Sequence, residues 1–278
     1  MGIRGVVAAL AAVLAVTAAA QPAAAEPAAP PGVNDWGCRP SAEHPTPVVL
    51  VHGLGGAAAT NWVYLGPLLV DQGYCVFALT YGRPAGVPPI TGGFAPMQDS
   101  APELAEFVDR VLAATGTDRV DLVGHSEGTV MPQYYLKFLG GAEKVRRYVA
   151  LTPLYDGTTL HNTSEILDRL AEEIPIVGQI PDELCGACRQ FFAGSEFMTR
   201  LNEGGAAVPG IEYTTIMTRY DQLVTPWTSG YLDGATNIVL QDVCPLDFAE
   251  HVAVAFDPHV GRLVLNALDP AHAKPVRC

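Results

Sequence analysis

The 278-residue sequence predicts an α/β fold, a mostly parallel sheet of about six strands with helices on both faces. Three observations predict it. Short apolar runs alternate with helical patterns along the chain. The first strong run, PVVLVH at 47–52, is apolar almost throughout, as a strand covered on both faces must be. The loops with chemical character all follow such runs, where open parallel sheets bind their ligands.

Residues 1–25 read as a targeting segment rather than fold. Arg4 supplies a basic start, Gly5 to Ala20 is apolar, and Ala23-Ala24-Ala25 fits a small-x-small cleavage site, with Ala20 as the alternative. A membrane anchor is the competing reading of that run. Residues 26–46, rich in Ala and Pro, form an irregular lead-in, and 47–278 are expected to make a single domain. After the first strand comes the Gly-rich loop HGLGG at 52–56. Helical spacing runs from Asn61 to Gln72 and stops at Gly73. YCVFALTY at 74–81 is the second strand, followed by a Gly/Pro-rich loop over 82–98. Ser100 to Ala114 is an amphipathic helix with Leu104, Phe107, Val108, Val111 and Leu112 on its apolar face. The strand at 120–124 precedes a turn and a helical run from Thr129 to Leu139. VRRYVALT at 145–152, IEYTTIMT at 211–218 and NIVLQ at 237–241 are further strands, and Asp257 to Leu268 is the closing helix. Residues 153–210 are the least regular, with one short helical stretch around Ser164 to Glu173, and are a candidate small cap.

Composition narrows the function. With 29 Asp plus Glu against 16 Lys plus Arg, the formal net charge is −13, and removal of Arg4 with the leader takes it to −14. Such a chain is ill suited to nucleic acid. It suits an exported, soluble protein. The cysteines are Cys38, Cys75, Cys185, Cys188, Cys244 and Cys278, an even count in an exported chain, which reads as three disulfides of undetermined pairing. Cys185-Gly-Ala-Cys188 has neither a second CxxC nor a nearby histidine, so no metal is expected there.

The chemistry centres on VDLVGHSEGT at 120–129. Gly-x-Ser-x-Gly between a strand and a helix is the nucleophile elbow, in which a tight turn lifts Ser126 toward a base and small residues at 124 and 128 let the backbones approach. In α/β-hydrolases the chain order is then acid, then histidine. His251 follows the last strand and the loop CPLDFAE, and is the expected base, with His259 the alternative; His161 and His272 fit the order less well. Asp221, just after IEYTTIMT, is the expected acid, ahead of Asp156, while Asp242 and Asp247 crowd the histidine's own loop. The HGLGG loop lacks the partners of a phosphate cradle and fits an oxyanion loop, with the N–H groups of Leu54 and Glu127 as donors. The Glu127 side chain is expected to point away from the acyl pocket. Val63, Leu65 and Leu68, beside Trp62 and Tyr64, are candidates for an acyl groove or for core packing.

Long blocks of the chain are similar to the secreted bacterial class 2 lipases of the α/β-hydrolase superfamily. They include PVVLVHG with the NW pair at 61–62, GYCVFALTYG at 73–82, VDLVGHSEGT at 120–129, YTTIMTRYDQLVTPW at 213–227 and NIVLQDVCPLDFAEH at 237–251. The resemblance implies a serine carboxylic-ester hydrolase, with Ser126, Asp221 and His251 as the triad and Leu54 and Glu127 at the oxyanion positions. It implies lipid or small ester substrates, an oil–water interface, no cofactor, a secreted location and a monomer. It also implies the pairings Cys38–Cys75, Cys244–Cys278 and Cys185–Cys188. The chain departs from the family's frequent GHSQGG at Glu127 and Thr129. The rival functions are an acyltransferase on the same triad and a non-catalytic α/β-hydrolase binding module.

Overall fold

Valine-rich runs become the centre of the sheet in the computed structural model, which describes residues 27–160 and 185–278. The strands are β1 (Val48–Val51), β2 (Val76–Leu79), β3 (Val120–His125), β4 (Val145–Leu151), β5 (Glu212–Met217) and β6 (Thr236–Val239). They lie in the order β2-β1-β3-β4-β5-β6, and every neighbouring pair is parallel. The chain builds outward from β1 to β2, then crosses back to place β3 on the other side of β1. That reversal leaves a crevice outside the carboxyl ends of β1 and β3, the place where doubly wound sheets bind ligands. The register sets Val51 beside Gly124, so both strands end at the same level.

Helices cover both faces: α1 (Ala58–Asn61), α2 (Leu65–Asp71), α3 (Met97–Thr115), α4 (Met131–Phe138), α5 (Glu196–Asn202), α6 (Leu240–Val243) and α7 (Pro258–Leu268). The period of two along each strand divides the core. Val49, Val51, Phe77 and Leu122 face one side, against Met97, Leu104 and Val108 of α3 and Met131 and Tyr135 of α4. Val48, Leu50, Val76 and Val123 face the other, against Leu65 and Leu69 of α2 and Val260 and Val264 of α7. Each such buried side chain contributes roughly 1.5–3 kcal/mol.

Several element boundaries differ from the sequence pattern: β2 is shorter than 74–81, and the strand expected over 237–241 ends at Val239, where Leu240 and Gln241 turn into α6. The helix expected over 61–72 is two, because Trp62 leaves the helical region (φ −116°, ψ 19°) to bury its ring while Asn61 turns inward. Trp62 and Leu65 belong to the core, and neither they nor Val63 and Leu68 line the crevice beside Ser126. α3 begins at Met97, a turn before Ser100, because Gln190 accepts a hydrogen bond from the Met97 N–H at 2.6 Å. The elbow helix starts as a 3-10 turn over Ser126–Thr129 before α4. In the stretch that looked least regular, Ser195 caps α5 by accepting from the Met198 N–H, and Lys137 donates to the carbonyl of Leu201 in the last turn of α5 and to those of Glu203 and Gly205 beyond its end. The expected leader, the helical stretch at 164–173, His161 and the middle of the candidate cap lie outside the described residues.

The disulfides are Cys38–Cys75, Cys185–Cys188 and Cys244–Cys278, the pairs that the family resemblance implies. The first fastens the lead-in to β2 across a sequence separation of 37, and Trp36 then packs its ring 5.0 Å from Phe77. Replacing Cys38 and Cys75 together by Ala should lower the unfolding free energy by on the order of 3–4 kcal/mol, measured by denaturant titration under non-reducing conditions.

Candidate active site

Two close backbone approaches shape the turn after β3. A Cβ on Gly124 would stand 2.0 Å from the Gly128 carbonyl oxygen, and one on Gly128 would stand 2.1 Å from that of Val51. No side chain fits at either position. With the chain folded so tightly, Ser126 adopts φ +55°, a left-handed conformation that costs on the order of 1–3 kcal/mol for a non-glycine residue. Local bonds offset part of that cost. Thr129 Oγ1 donates to the Ser126 carbonyl at 2.6 Å, and the Tyr148 hydroxyl donates to the Gly128 carbonyl at 2.7 Å.

The turn delivers Ser126 to His251. Ser126 Oγ lies 2.8 Å from His251 Nε2, and His251 Nδ1 lies 2.8 and 3.0 Å from the two carboxylate oxygens of Asp221. A carboxylate only accepts, so Nδ1 carries the proton and Nε2 presents its lone pair to the serine hydroxyl. Both partners of the imidazole–carboxylate hydrogen bond are nearly solvent-free, with side chains 3% and 2% exposed. The N–H groups of Leu223 and Val224 donate to Asp221 Oδ1 at 2.9 and 2.7 Å and fix the carboxylate.

Gln241 ties the acid loop to the histidine loop. It accepts from the Arg219 N–H and donates to Thr218 Oγ1 and to the Asp247 carbonyl. Glu250 adds a clamp, accepting from the N–H groups of Val252 and Ala253 and from the Gln222 amide.

A second buried network supports the histidine from below. His125 Nε2 lies 2.9 Å from the carbonyl of His251, and its Nδ1 lies 3.0 Å from the Asn61 side chain. Burial, with the neighbouring His251 next, lowers the His125 pKa to about 3, so the ring is neutral and has one N–H. A carbonyl only accepts, so that proton sits on Nε2. Nδ1 then faces the Asn61 side chain, whose Oδ1 accepts from the Gly53 N–H at 3.4 Å.

The HGLGG loop after β1 packs directly on Ser126. A Cβ on Gly53 would stand 2.9 Å from Ser126 Cβ and 3.5 Å from its Oγ. Leu54 and Glu127 both line the crevice, and among the described residues neither backbone N–H has a hydrogen-bond partner. Two unpaired donors flanking a nucleophile are what an oxyanion requires. The crevice holds about 420 Å³, and Leu154, Leu160, Phe191, Leu223, Val224, Val252 and Phe256 supply its apolar wall. Apart from the stretch around the triad, those wall residues carry no pattern in the sequence; tertiary folding alone gathers them.

The Glu127 side chain turns behind the loop. A Cβ on Gly93 would stand 2.9 Å from Glu127 Oε2 and 3.2 Å from Leu54 Cα. Both carboxyl oxygens are buried beside the Tyr81 hydroxyl, which donates to the His52 carbonyl at 2.8 Å and whose oxygen is within reach of the neutral acid. Burial pushes the Glu127 pKa well above the usual carboxylate range, so the group stays neutral.

The other candidates go elsewhere. Asp156 is exposed, and Asp242 pairs with Arg219 on the surface at 2.5 Å. His259 Nδ1 lies 2.7 Å from Asp247 Oδ2, while Asp257 Oδ1 caps α7 by accepting from the N–H groups of His259 and Val260. That Asp247–Asp257–His259 group is the one clustering of metal-capable side chains among the described residues, and its internal bonds account for it without an ion.

A parallel sheet with a strand–turn–helix serine at its switch point is the α/β-hydrolase fold. The chain belongs to the class 2 lipase family, whose model, Lipase (class 2), matches residues 45–263. Solved structures agree on the fold. Aspergillus fumigatus lipase B superposes with TM-score 0.61 at 22% identity over 84% of this chain, which spans only 53% of that protein. Mature Bacillus licheniformis lipase BlEst2 gives 0.58 at 21% identity, covering 85% of this chain and 95% of that one. Bacillus subtilis carboxylesterase CesB gives 0.53 at 14% identity, over 84% and 86%.

A neutral buried Glu127 has a thermodynamic signature. The unfolded carboxyl ionises near pH 4.5, whereas the folded one keeps its proton. Folding therefore takes up a proton above that pH, and stability falls by up to about 1.4 kcal/mol per pH unit until the folded group ionises. Glu127→Gln has no such proton. The variant should match the wild type near pH 4 and become progressively more stable than it by pH 8, read from denaturant unfolding at each pH.

Proposed function

We propose that this chain is an exported serine esterase that hydrolyses lipid or other acyl esters through Ser126, His251 and Asp221. One observation carries the reading: an unbroken serine–imidazole–carboxylate chain that opens into an apolar crevice. In acylation, Ser126 Oγ attacks the ester carbonyl carbon while His251 Nε2 takes its proton. Asp221 holds the imidazole tautomer and steadies the imidazolium. The oxyanion accepts from the N–H groups of Leu54 and Glu127. His251 then returns the proton to the leaving alcohol. In deacylation it takes a proton from water, whose oxygen attacks the acyl carbon, and gives that proton to Ser126 Oγ as the acyl–oxygen bond breaks and the acid leaves.

The apolar wall supports an acyl substrate, since about 25 cal/mol per Å² of hydrocarbon buried favours a chain over a polar group. Leu223, Val252 and Phe256 line the crevice and are also exposed at its mouth, with Tyr220 and Phe248 packed on each other nearby. An apolar rim continuous with an apolar crevice supports a substrate presented by an oil–water surface. Family membership supports the reaction class. Three disulfides support an oxidising, extracellular location.

Ser126→Ala should lower turnover of p-nitrophenyl esters at least about 10⁴-fold while leaving the unfolding temperature within a few degrees. Turnover retained in that variant, measured on homogeneous protein, would exclude Ser126 as the nucleophile.

A further inference from the structure

We propose that His52 is the positioning residue of the oxyanion hole, holding the Gly53–Leu54 peptide so that the Leu54 N–H faces the nucleophile. The inference rests on the hydrolase reading and adds to it a side chain that never touches substrate.

The geometry begins with a carbonyl. Gly53 O receives two hydrogen bonds, from His52 Nδ1 at 2.8 Å and from the Gly56 N–H at 2.9 Å. A carbonyl only accepts, so His52 carries its proton on Nδ1. Nε2 is then a lone pair, and it meets a donor, the Tyr81 N–H at 3.3 Å. Both ring nitrogens are thus matched in a single neutral tautomer. His52 is the one side chain among the described residues that binds that carbonyl, and the Gly56 N–H is its backbone partner.

The Gly53–Leu54 bond is trans, and in a planar trans peptide the C=O and the following N–H point in opposite directions. Drawing the carbonyl toward His52 and Gly56 therefore drives the Leu54 N–H the other way, into the crevice beside Ser126. Without the His52 donor the peptide has one anchor, and rotation about the glycine's free dihedrals can turn the N–H aside.

His52 is itself immobilised. Its ring stacks on Tyr81 with centroids 4.3 Å apart and planes 16° from parallel, and the Tyr81 hydroxyl donates to the His52 carbonyl at 2.8 Å. Gly92 closes the other side, since a Cβ there would stand 3.3 Å from His52 Cε1. The titratable groups facing the ring are Tyr81, just beyond β2, and the neutral His125. Burial lowers the His52 pKa to about 4, so the one-proton arrangement persists across the working range of an esterase.

The test compares an ester with its thionoester, whose C=S accepts hydrogen bonds poorly and so reports on the oxyanion donors. His52→Leu removes the donor at similar bulk. His52→Asn keeps a side-chain N–H at the δ position. His52→Leu should lower kcat about 10–100-fold with KM within about threefold, and should shrink the ester/thionoester rate ratio about tenfold. His52→Asn should restore most of both. A His52→Leu enzyme with an unchanged ratio, or an Asn variant as impaired as the Leu variant, overturns the inference. If His52→Leu does not fold, His52→Gln takes its place, because its amide sits one bond further out, on the Tyr81 side. Gln must then lose the ratio and Asn keep it, and equal ratios overturn the inference. Failure of the hydrolase reading looks different, since the wild type would then show no Ser126-dependent ester turnover at all.

Discussion

The site depends on the contact of backbones at the elbow. Gly128 lies against the carbonyl of Val51 and Gly124 lies against the carbonyl of Gly128, so β1, β3 and the first turn after β3 are locked at one distance. That lock holds Ser126 at φ +55° and sets its hydroxyl above the sheet. The same lock brings the end of β1, and with it the HGLGG loop, against the serine. Ser126 and the HGLGG loop are therefore placed by one constraint. The remaining members arrive on loops after β5 and β6, which need only reach a point already fixed. Gln241 and Glu250 then hold those loops to each other.

Beneath the serine, polar groups are buried in numbers that would be costly if unpaired. His52 and His125 avoid that cost by being neutral, each with one donor and one acceptor matched to backbone or amide partners. Neutrality follows from desolvation, which lowers both histidines to about 4 and about 3. The three histidines of the site thus have separate tasks. His251 faces Ser126 and Asp221, His125 supports the backbone of His251, and His52 anchors the loop across from it. Glu127 is a buried acid beside the Tyr81 hydroxyl, tolerated as the neutral form behind the loop that carries Leu54.

Much of this was legible in the sequence because its signals are local. The β1 and β3 runs are apolar for a physical reason, burial on two faces, and the Gly-x-Ser-x-Gly spacing follows from the absence of room for a Cβ at 124 and 128. Asp221 and His251 could be chosen because each follows a strand in the required order. What was not legible depends on distant partners. The early start of α3 needs Gln190, the split between α1 and α2 needs a cavity for Trp62, and the wall of the crevice needs residues from 154 to 256 brought together. His52 and Asn61 stand in motifs that sequence reading assigned to a glycine loop and a helix. Their roles appear only once Gly53, Tyr81 and His125 are beside them.

The account's central claim is that a single activated serine at the elbow forms the covalent intermediate. Reaction of the purified protein with a fluorophosphonate ester, followed by peptide mass mapping, tests it most directly. The account predicts one adduct per chain, on Ser126, forming in step with the loss of esterase activity. Activity lost with the adduct on another residue, or esters hydrolysed by protein that Ser126 never links to the phosphonate, would contradict it.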